Sequence, residues 1–150
     1  QIKASKKPKS IIFAEIKDVT EYAKVSNEAY RLMRVLFPGP YTLILPATRL
    51  VPRLLQSNRK SIGVRIPDHW FCRALVEQVG EPIITTSIPL TDEQIHIDPI
   101  AIESHLGHRV DVVIDSGILP DIPSTVISLE TGSPGIVRYG LGPTELIEAA

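Results

Sequence analysis

What the chain lacks narrows its possibilities first. A lone cysteine, Cys72, leaves no disulfide to form within the chain, and points to a reducing, cytoplasmic compartment. No apolar run approaches the roughly 20 residues that a spanning helix needs, and no charged-then-apolar segment opens the sequence, so no membrane partner is expected. A glycine-rich phosphate loop is missing too: Gly140-Leu141-Gly142-Pro143 follows the last expected strand instead of leading into a helix, and reads as a turn. Of the histidines His69, His96, His105 and His108, only the last two stand close together, and no cysteine or carboxylate completes a ligand spacing, so no metal site is expected. Heptads, internal repeats, low-complexity tracts and a recognisable linker are all lacking, which favours one domain over residues 1–150.

What is present fits a folded globular protein. The chain is 43% hydrophobic and 22% charged, which is ordinary for a domain that buries a core. Its net charge of −1 hides an asymmetry: residues 1–60 carry 12 of the 16 bases against 4 of the 17 acids, leaving 4 bases and 13 acids for residues 61–150. Such a basic half suits either a polyanion, nucleotide or RNA, or a surface whose charges pair with the acidic half on folding. The opening residues lack an initiator methionine and run almost at once into an apolar stretch, as an excerpt of a longer protein would.

Periodicity places the elements. Strands are expected at residues 10–14, 41–45, 60–67, 82–87, 110–115, 123–128 and 135–139, and helices at 16–22, 26–37, 52–56, 68–80 and 99–105. Ser26 is a candidate N-cap, Asp68 another, and Gly80 a C-terminal stop. In the helix at 68–80, Phe71, Leu75 and Val79 recur four apart and are expected to form its inner face. Strand, helix and strand between residues 61 and 87 read as a βαβ unit with parallel strands, which sets the hydroxyls of Thr85, Thr86 and Ser87 at a carboxyl-end rim where ligands of open sheets sit. Cys72 within that helix reads as a half-buried hydrophobe rather than a reactive thiol, and Asp111 and Asp115 as strand-end carboxylates rather than a catalytic pair. The fold class is therefore α/β: a twisted, mixed or mostly parallel open sheet with packed helices and one concave ligand face.

Four stretches in order, Pro38-Gly39-Pro40-Tyr41-Thr42, Ser61-Ile62-Gly63-Val64-Arg65-Ile66-Pro67, Thr85-Thr86-Ser87 and Ser124-Thr125-Val126-Ile127, ending at Arg138, resemble the YrdC/YciO family, with detail closer to the YciO branch. The resemblance covers nearly the whole chain. It implies a YrdC-like fold and a threonylcarbamoyl-AMP synthase-like nucleotidyltransferase, which makes threonylcarbamoyl-AMP and pyrophosphate from L-threonine, bicarbonate and ATP for tRNA threonylcarbamoyladenosine modification. Carried over by position, it implies ATP contacts from Lys3, Ser61, Ser87 and Arg138, and threonine contacts from Arg65, Thr85 and Ser124. Magnesium would accompany the phosphates with few protein ligands. The chemistry asks for positioning and charge neutralisation more than covalent work, which suits arginine forks and strand-end hydroxyls.

The departures from that family pattern are specific. Proline stands at position 89 where the family has asparagine, Ser5 stands in place of the arginine of its Lys-x-Arg motif, and the Pro-Thr-Asp-Thr strand has no counterpart. These departures imply a chain that binds its substrates in part and does not complete the reaction alone. The competing readings are a non-catalytic module that binds double-stranded RNA or tRNA through the basic first 60 residues, and a degenerate homologue that binds nucleotide without turnover.

Overall fold

A computed structural model of the chain describes residues 9–88, 97–131 and 133–148. The elements run β1 (Ser10–Ile12), α1 (Ile16–Tyr22), α2 (Asn27–Leu36), β2 (Tyr41–Pro46), β3 (Ser61–Arg65), α3 (Trp70–Val79), β4 (Ile83–Thr85), α4 (Pro99–Leu106), β5 (Thr125–Ser128), β6 (Gly135–Arg138) and α5 (Glu145–Glu148). Two compact units emerge, one within Gln1–Thr86 and Pro123–Ala150, the other Ser87–Ile122.

The first unit holds a six-stranded mixed sheet in the order β4-β1-β3-β2-β5-β6. Parallel pairs β1–β3 and β2–β5 alternate with antiparallel pairs β1–β4, β2–β3 and β5–β6. Successive side chains of a strand point to opposite faces, and here the two faces differ sharply. One carries Ile11, Leu43, Leu45, Ile62, Val64 and Ile127, all buried in the main core with Val19, Ala29, Met33 and Leu36 of α1 and α2. Ser26 caps α2 as expected, its hydroxyl accepting from the Ala29 amide at 3.1 Å. The other face carries the polar strand residues, and α3 rests on it through Val76, which packs with Ile12, Ala14 and Ile83.

That packing corrects the expected inner face of α3. Leu75 and Val79 are exposed, and it is Val76 that is buried, against Ile12, Ala14 and Ile83. Gly80 ends the helix in the left-handed conformation as anticipated (φ 77°), with its amide bonded to the Val76 carbonyl. The N-cap is His69 rather than Asp68.

The βαβ expectation is also corrected: β4 pairs antiparallel with β1, and β1 lies parallel to β3, so β3 and β4 run in opposite directions. Ile12 lies beside Arg65 on one side and Ile83 on the other, so the crossover leaves and re-enters the sheet at the same end. A ten-residue helix rises about 15 Å, enough to step sideways over β1 to an outer strand.

The stretch at 52–56 forms a hydrogen-bonded turn instead of a helix, and α5 was not anticipated. In the second unit, α4 starts at Pro99 under a cap from Asp98, whose carboxylate accepts the Ile100 amide at 3.0 Å. The expected strand at 110–115 is not formed. Val110 is extended (φ −128°, ψ 150°), but among the described residues no neighbouring strand supplies the ladder that would make it one.

Candidate functional site

The polar face is built by register. Ser10 of β1 stands between Thr85 of β4 and Gly63 of β3, and the Ser10 and Thr85 hydroxyls meet at 3.0 Å, with Thr85 also donating to the Ser10 carbonyl at 3.2 Å. Gly63 leaves the middle of this row low: a Cβ there would stand 3.1 Å from both Ser10 Cβ and Thr42 Cγ2. Two residues along β3, on the same face, comes Arg65.

Across β2 the row continues. The Thr42 and Ser124 hydroxyls are 2.8 Å apart. Arg138 donates from Nε (3.2 Å) and Nη2 (2.8 Å) to the Ser124 carbonyl, and from Nη2 to its hydroxyl at 3.3 Å. Behind Ser124, the buried Thr125 hydroxyl donates to the Gly142 carbonyl at 2.6 Å and accepts the Gly140 amide at 3.1 Å, which pins the segment after β6 to the start of β5. Tyr41 completes that tie by donating to the Pro143 carbonyl at 3.0 Å, with its ring so close to Gly142 that a Cβ there would overlap it.

Arg65 is the electrostatic centre of this face. Burial lowers its guanidinium below the ordinary arginine range; the Cys72 thiol opposes that shift and Arg138 adds to it. Both cations stand on the polar face of the sheet. Arg65 Nε is buried and has no hydrogen-bond partner among the described residues. A half-buried guanidinium N–H favours a charged acceptor. A guanidinium there, with a second on the same face of the sheet, matches a carboxylate or a phosphate.

The sequence-derived residues divide into four groups. Arg65, Thr85, Ser124 and Arg138 are brought to one face of one sheet. Ser61 shares that side of β3 by alternation but is buried at the strand's start, its hydroxyl 2.6 Å from that of Ser57, so it braces the β2–β3 connection. Ser87 is exposed at the first position of the second unit, and the grouping around Arg65 lies wholly within the first. Lys3, Ser5 and Pro89 lie outside the described residues. Ser10, Thr42 and Gly63 were missed as site residues. For Gly63 the signal was present, since Ser61-x-Gly63-x-Arg65 at period two puts a small residue beside a strand arginine; Ser10 carried none, because only β-pairing brings it to Thr85. Among the described residues no group of three or more His, Cys, Asp or Glu could hold a metal ion.

The family model described as telomere recombination, covering Sua5, YciO and YrdC, matches residues 1–140. The chain belongs to the Sua5/YciO/YrdC family. It is 40% identical over 135 residues to YciO of Escherichia coli K12, covering 89% of this chain and 66% of that relative. Against the threonylcarbamoyl-AMP synthase of Mus musculus it is 30% identical over 142 residues, covering 89% of this chain and 50% of the relative. In structure it matches E. coli YciO with a TM-score of 0.85 at 36% identity, covering 93% of this chain and 68% of that one. It matches Pyrococcus abyssi Sua5 complexed with L-threonine with the same TM-score at 29% identity, covering 95% and 42%. The chain thus spans about two thirds of the length of its YciO relatives, and the mixed open sheet is the family fold.

Proposed function

We propose that this Sua5/YciO/YrdC chain is a threonylcarbamoyl-AMP synthase-like protein that binds L-threonine and ATP on the polar face of its sheet. The observation that carries this reading is that Arg65, half-buried, and Arg138, anchored to Ser124, come to the same face of one sheet. In this reading Arg65 holds the threonine carboxylate, with Thr85 and Ser124 placed around the amino acid by Ser10 and Thr42. Nε and Nη2 of Arg138 are committed to Ser124, which aims the rest of the guanidinium at the nucleotide phosphates. The P. abyssi Sua5 complex with L-threonine supports the amino-acid half of the reading.

The reaction proposed joins the threonine amine to the carbon of bicarbonate with loss of water. An oxygen of the resulting carbamate then attacks the α-phosphorus of ATP, and pyrophosphate leaves with the electrons of the broken bond. The chain's part is to position and to neutralise: two fixed guanidinium groups meet negative charge without reorganising as the reaction proceeds. Magnesium would be held chiefly by the phosphates, with few protein ligands.

Isothermal calorimetry of the full-length protein with ATP, with threonine, and with both plus bicarbonate tests the reading. Heat is expected with each substrate, lost selectively for threonine in Arg65→Ala and for ATP in Arg138→Ala. Absence of heat with either substrate, or equal losses for both substrates in both variants, would remove the proposal.

A further inference from the structure

A second feature lies at the opposite end of the sheet. The connection between β2 and β3, residues 47–60, carries Arg49, Arg53, Arg59 and Lys60, and the sequence has no acid between Glu28 and Asp68. All four cations are exposed. Among the described residues one of them reaches a carboxylate, Arg59 to Glu130 at 3.8 Å. Set among these cations are Leu50 and Leu54, 62% and 75% exposed. The core does not use them, because Val51, 2% exposed, and the partly buried Leu55 already fill the space beneath the loop.

The loop is held in shape. The Leu55 amide bonds to the Pro52 carbonyl at 2.9 Å, the Gln56 side chain donates to the Val51 carbonyl at 2.7 Å, and the Ser57 and Ser61 hydroxyls meet at its base. Lys60 adopts a left-handed backbone (φ 58°), which costs a non-glycine residue about 1 kcal/mol or more and is kept because the Ala47 amide bonds to the Lys60 carbonyl at 2.8 Å. Ser61 and Arg65 are four steps apart on one strand, so the base of this loop stands roughly 13 Å along β3 from Arg65.

We propose that the loop at 47–60 docks the protein on an anionic lipid surface, with Leu50 and Leu54 entering the boundary of the acyl region and the four cations at headgroup level. Apolar tips ringed by basic side chains are the make-up of an interfacial anchor, and stems of arginine and lysine reach headgroups while their carbon chains lie on apolar surface. RNA fits the loop less well. It has no aromatic residue on which a base could stack, and phosphates give two protruding leucines nothing to bury against. The sequence excludes a membrane span over these residues; it does not exclude a surface.

Co-sedimentation of the full-length protein with vesicles tests this, using phosphatidylcholine alone against phosphatidylcholine containing phosphatidylserine, at low and high salt. Partition onto the serine-containing vesicles alone is expected, weakened by salt. Leu50→Ser with Leu54→Ser should reduce it about fivefold, and Arg53→Gln with Lys60→Gln on the order of tenfold or more. All four side chains are exposed, so the melting temperature should not move and separates a docking effect from misfolding. No partition onto anionic vesicles, or partition that survives the leucine changes, overturns the proposal. So does retardation of tRNA in a gel by the same cations in a protein that ignores vesicles. The heats of ATP and threonine binding are independent of these outcomes, so the two proposals fail separately.

Discussion

The two faces of the sheet come from the same strands and do opposite things. On β3, Ile62 and Val64 are buried in the main core, while Ser61, Gly63 and Arg65, alternating with them, line the polar side. On β2, Leu43 and Leu45 face the core and Thr42 faces Ser124. One face is stabilised by removing apolar surface from water; the other keeps polar groups in place by short hydroxyl bonds and carries an arginine with an unmet donor. Stability and ligand binding are thus assigned to alternate residues, and substitutions should separate them.

The largest effect is expected on the core face. Leu43→Ala removes a fully buried side chain and should cost about 2–5 kcal/mol in urea unfolding, with the folded fraction still binding threonine. If threonine binding collapsed along with stability in the folded fraction, the separation of the faces would be wrong. On the polar face, Arg65→Ala should weaken threonine on the order of tenfold or more while leaving ATP binding and the unfolding midpoint nearly unchanged. A large fall in the midpoint would make Arg65 a structural residue instead.

Thr125→Val tests the junction of the two faces. It leaves the Gly140 amide and Gly142 carbonyl without their shared hydroxyl, and should cost about 1–3 kcal/mol together with a loss of ATP affinity, because it loosens the segment that follows Arg138. Unchanged ATP binding at reduced stability would uncouple that segment from the site.

The smallest effect concerns Tyr41. Burial first, then the carboxylate of Glu145, raises its phenol above the usual value of 10.0. The folded chain therefore holds the proton more tightly than the unfolded one: the stabilisation is complete below about pH 10 and is lost as pH rises through the raised value. Tyr41→Phe should flatten the alkaline limb of the stability curve and, by removing the bond to Pro143, cost about 0.5–1.5 kcal/mol at neutral pH. An alkaline limb unaltered in the variant would assign it to another group.

Much of this molecule could be read locally. The period-two alternation in residues 61–66 and the proline-glycine turn before β2 place those elements, and the motif order that resembles the family locates Arg65, Thr85, Ser124 and Arg138. The helix at 70–79 was legible, but its inner face was not. The four-residue recurrence of Phe71, Leu75 and Val79 is a genuine apolar stripe, yet the sheet beneath offers Ile12, Ala14 and Ile83 to Val76 instead. The expected strand at 110–115 failed for a related reason, since an alternating apolar run becomes a strand only when a neighbour offers its backbone.

By itself, the sequence determined which residues are apolar, where turns and caps interrupt them, and which side chains could meet an anion, because these follow from dihedral limits, spacing and side-chain chemistry within a few positions. The tertiary structure alone decided that β4 runs antiparallel beside β1, that Ser10 anchors Thr85 and Thr42 anchors Ser124, and that Arg65 and Arg138 stand on one face. Those facts depend on strand pairing between residues tens of positions apart, and a local pattern leaves open which strand will supply the partner for each backbone hydrogen bond.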